Sequence, residues 1–178
     1  MSHPPVLAQI DGYLASEESL ESLAQQLAGC VRQASGSTAS NAVRFRIHLV
    51  GDLGTGKTSF ARAFLRACGV TGRIKSPSYA LLESYNVSSL YFYHFDFYRF
   101  TDPSEWLDAG FRDIFQEDAV ILVEWPDKAG SLLPPPDIEI RLHYALPGRQ
   151  AQLIAYSNKG KLWLTSITLP PADAPTHS

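Results

Sequence analysis

The sequence predicts a three-layer α/β domain on a mixed, partly antiparallel central sheet. Three observations lead there. Apolar runs of strand length alternate with amphipathic helical stretches, the pattern of a sheet covered by helices. One such strand runs through a glycine cluster directly into a helix, which is half of a βαβ unit. Other strand candidates succeed each other across short, turn-rich connections, a spacing that suits hairpins.

Composition sets the outer bounds. The chain has 178 residues, 45% hydrophobic and 19% charged, enough to pack a core and too apolar for wholesale disorder. Fifteen Lys and Arg against 18 Asp and Glu give a net charge of −3. That balance argues against a dedicated nucleic-acid binder, which carries a basic face. Cys30 and Cys68 stand far apart with no C-x-x-C pairing, so they read as buried thiols of a reducing compartment. No stretch approaches the ~18 apolar residues of a spanning helix. Met1-Ser-His-Pro-Pro-Val6 also lacks the charged-then-apolar layout of a signal peptide. The expectation is a cytoplasmic protein.

Residues 1–15 read as an extended N-terminal segment. Ser16 is placed to cap a helix, with Glu17 and Glu18 favouring its positive end. Leu20, Leu23, Ala24, Leu27 and Val31 then recur at helical spacing, which predicts a helix over 17–33. Ser35–Ser40 is small and polar, a flexible connection. Phe45, Ile47 and Leu49 alternate along a strand that meets the glycine cluster. A helix from Lys57 to Cys68 follows, with Phe60, Ala61, Phe64 and Leu65 on one face and Gly69 ending it. Tyr79–Tyr85 and Leu90–Phe97 read as two strands of a hairpin. Asp102-Pro-Ser-Glu105 carries a helix-start signature, opening a helix through Trp106 and Leu107 that stops near Gly110. Ala119–Val123 is continuously apolar, the mark of a strand covered on both faces. After Pro134–Pro136, segments 138–144 and 151–156 alternate around a Pro147-Gly148 turn. The domain itself spans 16–168, and 169–178, with Pro170, Pro171 and Pro175, reads as a disordered tail.

The strongest chemical signal is Gly51-Asp-Leu-Gly-Thr-Gly56-Lys57-Thr58, which matches G-x-x-x-x-G-K-[ST]. Its glycines let main-chain N–H groups turn inward around phosphate oxygens. Lys57 places an ammonium on the β- and γ-phosphates, and the Thr58 hydroxyl ligates Mg²⁺. The helix behind adds its dipole. A chance match arises in roughly three chains per thousand of this composition, and here it also lies between strand and helix. The fold expectation sharpens to P-loop NTPase-like. Such a loop works with a carboxylate at the end of an apolar strand. Asp96, closing Leu90–Phe95, and Glu124, closing Ala119–Val123, are the candidates. Asp127-Lys-Ala-Gly130 resembles the D-x-x-G of a GTPase, but Asn158-Lys-Gly-Lys161 has Lys where N-K-x-D needs Asp. No carboxylate is then offered to the guanine edge, which favours adenine.

Taken in order, Gly51–Thr58, Lys75-Ser-Pro-Ser-Tyr79, His94-Phe-Asp-Phe-Tyr-Arg99, Asp102-Pro-Ser-Glu105 and Val123-Glu-Trp-Pro126 resemble the TsaE family, once called YjeE. These are small bacterial P-loop ATPases of tRNA threonylcarbamoyladenosine (t6A) synthesis, and the resemblance covers about residues 14 to 165. It implies that Asp52, Leu53, Gly54, Thr55, Gly56, Lys57, Thr58 and Ser59 hold ATP, and that Thr58 and Glu124 ligate Mg²⁺. Asp96 is implied as the second acid, near the metal or the attacking water, which makes Lys57, Asp96 and Glu124 the catalytic set. Ser76–Ser78 resembles a switch-like segment beside the γ-phosphate. Trp125 is implied near the nucleotide and Ser16–Glu17 near the adenine. The implied partners are the TsaD and TsaB proteins, with tRNA contacted at most indirectly. Ser78 stands where Thr is common, Thr55 where Ala is, and Phe97 where Leu is; none of these removes a ligand.

Other features receive plainer readings. Lys75 and Arg99 are candidates for stabilising transferred charge, with surface pairing the favoured role for Lys75. The aromatics between Tyr91 and Phe100 read as core packing rather than a stacking platform for RNA. His94 reads as a hydrogen-bonded strand residue, and Leu132-Leu133 as a loop anchor. Two alternatives to an ATPase share the loop: a small-molecule or nucleoside kinase, and a binding module gated by nucleotide. The kinase needs an arginine-rich lid, yet only Arg112 follows Gly110 in that segment.

Overall fold

The structure, a computed structural model, describes residues 4–36 and 43–172. Among these residues seven strands form one sheet: β1 (Ala8–Leu14), β2 (Phe45–Val50), β3 (Leu82–Val87), β4 (Leu90–Asp96), β5 (Ala119–Glu124), β6 (Ile138–Ala145) and β7 (Gly148–Ala155). Their order is β1-β7-β6-β2-β5-β4-β3. The middle is parallel, β6 with β2, β2 with β5 and β5 with β4. The flanks are antiparallel, β3 on β4, β7 on β6 and β1 on β7. A mixed, partly antiparallel α/β sheet is therefore what forms. Every residue of β5 is buried, as its unbroken apolar run predicts.

Helices α1 (Glu17–Ser35), α2 (Lys57–Ala67) and α4 (Asn158–Leu164) belong to the core on one face. There Phe45, Ile47 and Leu49 of β2 join Val120, Leu122, Ile140, Leu142 and Leu153 beneath Leu20, Leu27, Phe60 and Phe64. Trp163 of α4 stacks on Phe45, ring centroids 3.6 Å apart. The layer on the other face is thin. It consists of the single-turn helix α3 (Glu105–Asp108) and three short 3₁₀ turns at 114–116, 126–128 and 130–132. Their loops supply Phe97, Phe100, Trp106, Phe115, Ala129 and Leu133 to a second cluster with Phe95, Ile121 and Val123. Aromatic bulk replaces helix length there. The aromatic run is core on its phenylalanines, while Tyr91 and Tyr98 stay about half exposed. Leu133 anchors inward and Leu132 does not. Both cysteines are free and buried, and burial pushes the Cys68 thiol up to about 12.

Several elements depart from expectation. Ala8–Leu14 is an edge strand paired along its whole length with β7, more than an extended lead-in. Leu169, at the head of the expected tail, lies where a Cβ on Gly12 would strike it, and Tyr13 N donates to the Pro170 and Pro171 carbonyls. The rest of that tail (173–178), the first three residues and most of the Ser35–Ser40 connection lie outside the described residues. The strand expected from Tyr79 begins at Leu82. Leu81 adopts a left-handed φ of 65° and its N–H closes a turn on Pro77 O, so 77–81 cannot extend. The helix-start signature at Asp102 works as capping, with Glu105 Oε1 accepting from the Thr101 and Asp102 N–H groups. The α-helix it opens has only four residues. Helix α4 has no counterpart in the sequence reading. Ser157 caps it by accepting from Gly160 N at 3.0 Å, and Gly160 is needed because a Cβ would meet the Asp137 carbonyl. Among the described residues no helix is long and apolar enough to cross a membrane.

Candidate functional site

The parallel strands bring three chain segments to one place at their carboxyl ends, the usual location of sites in such sheets. β2 stops at Val50 and delivers the glycine loop. β4 and β5 end together, with Asp96 and Glu124 as register partners. A cleft of about 200 Å³ opens between them. Leu53, Gly54, Gly56, Lys57, Thr58 and Ser59 line it from the loop, and Ser78, Asp96, Tyr98, Glu124 and Trp125 from the opposite side. A larger groove of about 540 Å³ lies between α1 and α2, around Glu21, Arg32 and Arg66. It contains none of the predicted site residues, so the smaller cleft is the candidate.

The loop's shape follows from its glycines. Gly51, Gly54 and Gly56 hold φ of 149°, 82° and 108°, values that side chains resist. A Cβ on Gly51 would strike the Leu142 carbonyl, and one on Gly56 the Arg149 guanidinium. Gly56 is also the N-cap of α2 and offers no side-chain oxygen, so the first-turn N–H groups are left to the loop. Lys57 is 4% exposed. Its Nζ donates to the Gly51 and Asp52 carbonyls, each at 2.7 Å, and sits 4.2 Å from the centre of the Trp125 ring. Burial lowers its pKa, opposed by the charges of Glu124, Asp96, Asp52 and Asp127.

The acids are held on defined partners. Thr58 Oγ1 donates to both Glu124 oxygens, at 3.0 and 2.8 Å. His94 Nε2 lies 2.8 Å from Glu124 Oε1, both residues buried. A carboxylate only accepts, so Nε2–H donates, and His94 Nδ1 is left without a partner. That is a hydrogen-bonded strand residue, as expected, with Glu124 as its partner. Asp96 is 4% exposed and accepts from Ser78 Oγ at 3.1 Å and Tyr98 N at 2.9 Å. Ser76 and Ser78 share a hydrogen bond at 2.8 Å. Trp125 takes a left-handed φ of 56° directly after Glu124. A bulky residue adopts that conformation only where its surroundings hold it. Here the turn swings the indole under the lysine.

The predicted residues do not all converge. Lys57, Thr58, Ser59, Leu53, Gly54, Gly56, Asp96 and Glu124 line the cleft; Asp52 and Thr55 do not. Thr55 is 1% exposed, its hydroxyl turned onto the Asp52 carbonyl. Arg99 lies over the Tyr79 ring, 4.3 Å from its centre, outside the lining, and Lys75 is exposed. Ser16 and Glu17 are also outside it. Ser16 caps α1 through Ser19 and Glu17 pairs with Arg149 at 3.0 Å. The sequence reading missed two residues of the β6–β7 hairpin. Tyr144 Oη donates to Leu53 O at 2.7 Å and Arg149 Nη1 to Thr55 O at 2.8 Å. Nothing local in the sequence signals either contact, because each spans more than ninety residues.

Comparison with known proteins places this architecture. A family model described as "Threonylcarbamoyl adenosine biosynthesis protein TsaE" matches residues 14–151. The tRNA threonylcarbamoyladenosine biosynthesis protein TsaE of Haemophilus influenzae is 44% identical over 115 residues, covering 65% of this chain and 73% of that one. Its namesake from Rickettsia felis is 36% identical over 140 residues, covering 72% and 81%. The crystal structure of Bacillus subtilis YdiB superposes with a TM-score of 0.71 at 25% identity, covering 92% of this chain and 95% of that one. With the family model spanning most of the chain and carrying the glycine loop and both strand-end acids, the protein belongs to the TsaE family.

Proposed function

We propose that this chain is a Mg²⁺-dependent ATPase that binds ATP on Gly51–Thr58, hydrolyses it slowly, and supports t6A modification of tRNA in a complex with TsaD and TsaB. The observation that carries the reading is the convergence of Thr58 Oγ1 on both Glu124 oxygens beside the lysine of the glycine loop. A small hard cation that keeps much of its water takes one or two carboxylates together with substrate phosphates. Thr58 and Glu124 fit that donor set. When bound, Mg²⁺ supplies charge neutralisation on the phosphoryl oxygens.

The chain's own groups do the rest. Main-chain N–H groups of the loop and the start of α2 orient the polyphosphate. Lys57 turns its ammonium from the loop carbonyls to the β- and γ-oxygens. His94 holds Glu124 toward Thr58. Asp96, fixed by Ser78 and Tyr98, accepts a hydrogen bond from water in line with the γ-phosphorus. Attack forms the new P–O bond as the bond to the ADP oxygen breaks, and the proton of the attacking water passes by way of Asp96 to the phosphate that leaves. Among the described residues the cleft is lined by one cation, Lys57, and by no arginine; a partner that adds positive charge would raise a slow intrinsic rate.

Titration of nucleotide against wild type and Lys57→Ala tests the loop: the variant loses tight ATP binding, and unchanged affinity rejects the site. Phosphate release measured with and without purified TsaD–TsaB tests the setting, with stimulation expected. Turnover that appears only when a phosphate acceptor is added would make the protein a kinase instead.

A further inference from the structure

The β6–β7 hairpin touches the glycine loop from outside the cleft, at two alternate peptide groups. Tyr144 and Arg149 are cross-strand register partners flanking the hairpin turn, so their side chains leave the sheet side by side. Tyr144 Oη donates to the Leu53 carbonyl and Arg149 Nη1 to the Thr55 carbonyl. In a trans peptide the carbonyl of one residue and the N–H of the next point in opposite directions. Pulling Leu53 O and Thr55 O outward therefore turns the N–H groups of Gly54 and Gly56 the other way. Both glycines line the cleft, whereas neither Tyr144 nor Arg149 does.

Glycine can occupy many conformations, so three glycines in six residues leave these peptide planes weakly determined by the loop itself. The clamp supplies the missing determination. Arg149 is itself fixed: its Nη2 lies 3.0 Å from Glu17 Oε2 at the start of α1, and its side chain is 19% exposed. A hydrogen bond from a charged guanidinium is stronger than one from a neutral donor, and holding donors in place before a ligand arrives lowers the ordering cost of binding.

We infer that Tyr144 and Arg149 are positioning residues for the phosphate cradle, acting through the Leu53–Gly54 and Thr55–Gly56 peptides. This rests on the nucleotide-binding reading above. The cradling N–H groups serve the phosphates shared by ADP and ATP, so the clamp raises affinity for both nucleotides equally. It leaves the step at the γ-phosphorus untouched.

The experiment measures Kd for ADP and for ATP, with KM and kcat, in wild type, Tyr144→Phe, Arg149→Met and Arg149→Lys. Thermal melts accompany each variant. Arg149→Met weakens both nucleotides about tenfold or more, as loss of a charged hydrogen bond predicts. Tyr144→Phe weakens both by about threefold, the scale of one neutral hydrogen bond. The ATP-to-ADP affinity ratio and kcat at saturation stay at wild-type values, and Arg149→Lys, which keeps one charged donor, recovers most of the loss. Wild-type affinities in Arg149→Met and Tyr144→Phe overturn the inference, whatever happens to melting temperature. So does a loss confined to ATP or to kcat. A wild-type chain that binds neither nucleotide is a different result: it rejects the nucleotide site itself.

Discussion

His48 lies within β2, 5% exposed, and its Nε2 has no hydrogen-bond partner. Burial, reinforced by the Arg46 guanidinium two residues away, pushes the imidazole down from 6.5 to about 3. Neighbouring strands bring Val123 and Glu139 to the register positions beside it. The ring is thus neutral in the fold but protonates near pH 6.5 once the chain unfolds. Between about pH 3 and 6.5 the unfolded state binds the extra proton, so stability falls as the pH falls through that window. The two values give a loss of about 2 kcal/mol between pH 7 and pH 5 from this residue alone. Each further unit adds roughly 1.4 kcal/mol. His48→Leu keeps the volume and removes the titration. In urea unfolding at pH 7 and pH 5, the wild type loses about 2 kcal/mol more than the variant across that interval. Equal losses in the two chains would refute the assignment.

Two further substitutions test the frame and the loop. Trp163→Ala removes the ring stacked on Phe45 and opens a cavity under β2, which costs about 3–5 kcal/mol in denaturant unfolding; a loss under about 1 kcal/mol would mean that α4 is peripheral to the core. Gly56→Ala forces a side chain to φ 108° and into the Arg149 guanidinium. The strain costs about 1–2 kcal/mol, and nucleotide titration should show affinity lost, whereas wild-type binding would mean that the loop tolerates a different shape.

How far the sequence was readable depended on how local each feature is. The glycine loop is contiguous, so its residue types and spacing state its geometry directly. Glu124 and Asp96 were legible because each ends an apolar strand. Their pairing at one level of the sheet is a register fact that the sequence leaves implicit. β5 betrayed itself by unbroken apolarity. β1 did not, since its first four residues alternate only between half-buried and exposed and its pairing partner lies at the far end of the chain. Helix α4 is short and carries a glycine, which blurs helical spacing. The second outer layer was expected but its make-up was not: phenylalanines on short turns do the covering, with no long periodic helix to detect. The hairpin clamp was invisible because Tyr144 and Arg149 reach the loop only through folding, and the Pro147-Gly148 turn they flank says nothing of what their side chains touch.

The cation of Lys57 has a home of its own, between two loop carbonyls and an indole. The Gly51–Asp52 end of the loop is therefore closed around an internal guest. Any anion entering there must offer the lysine something better than what it already has, and must free the carbonyls of Gly51 and Asp52 to find other partners. Tightness at this site is consequently a difference between two well-made states. Trp125 both lines the cleft and lies under the lysine, so a substitution there shifts the filled state as well as the resting one.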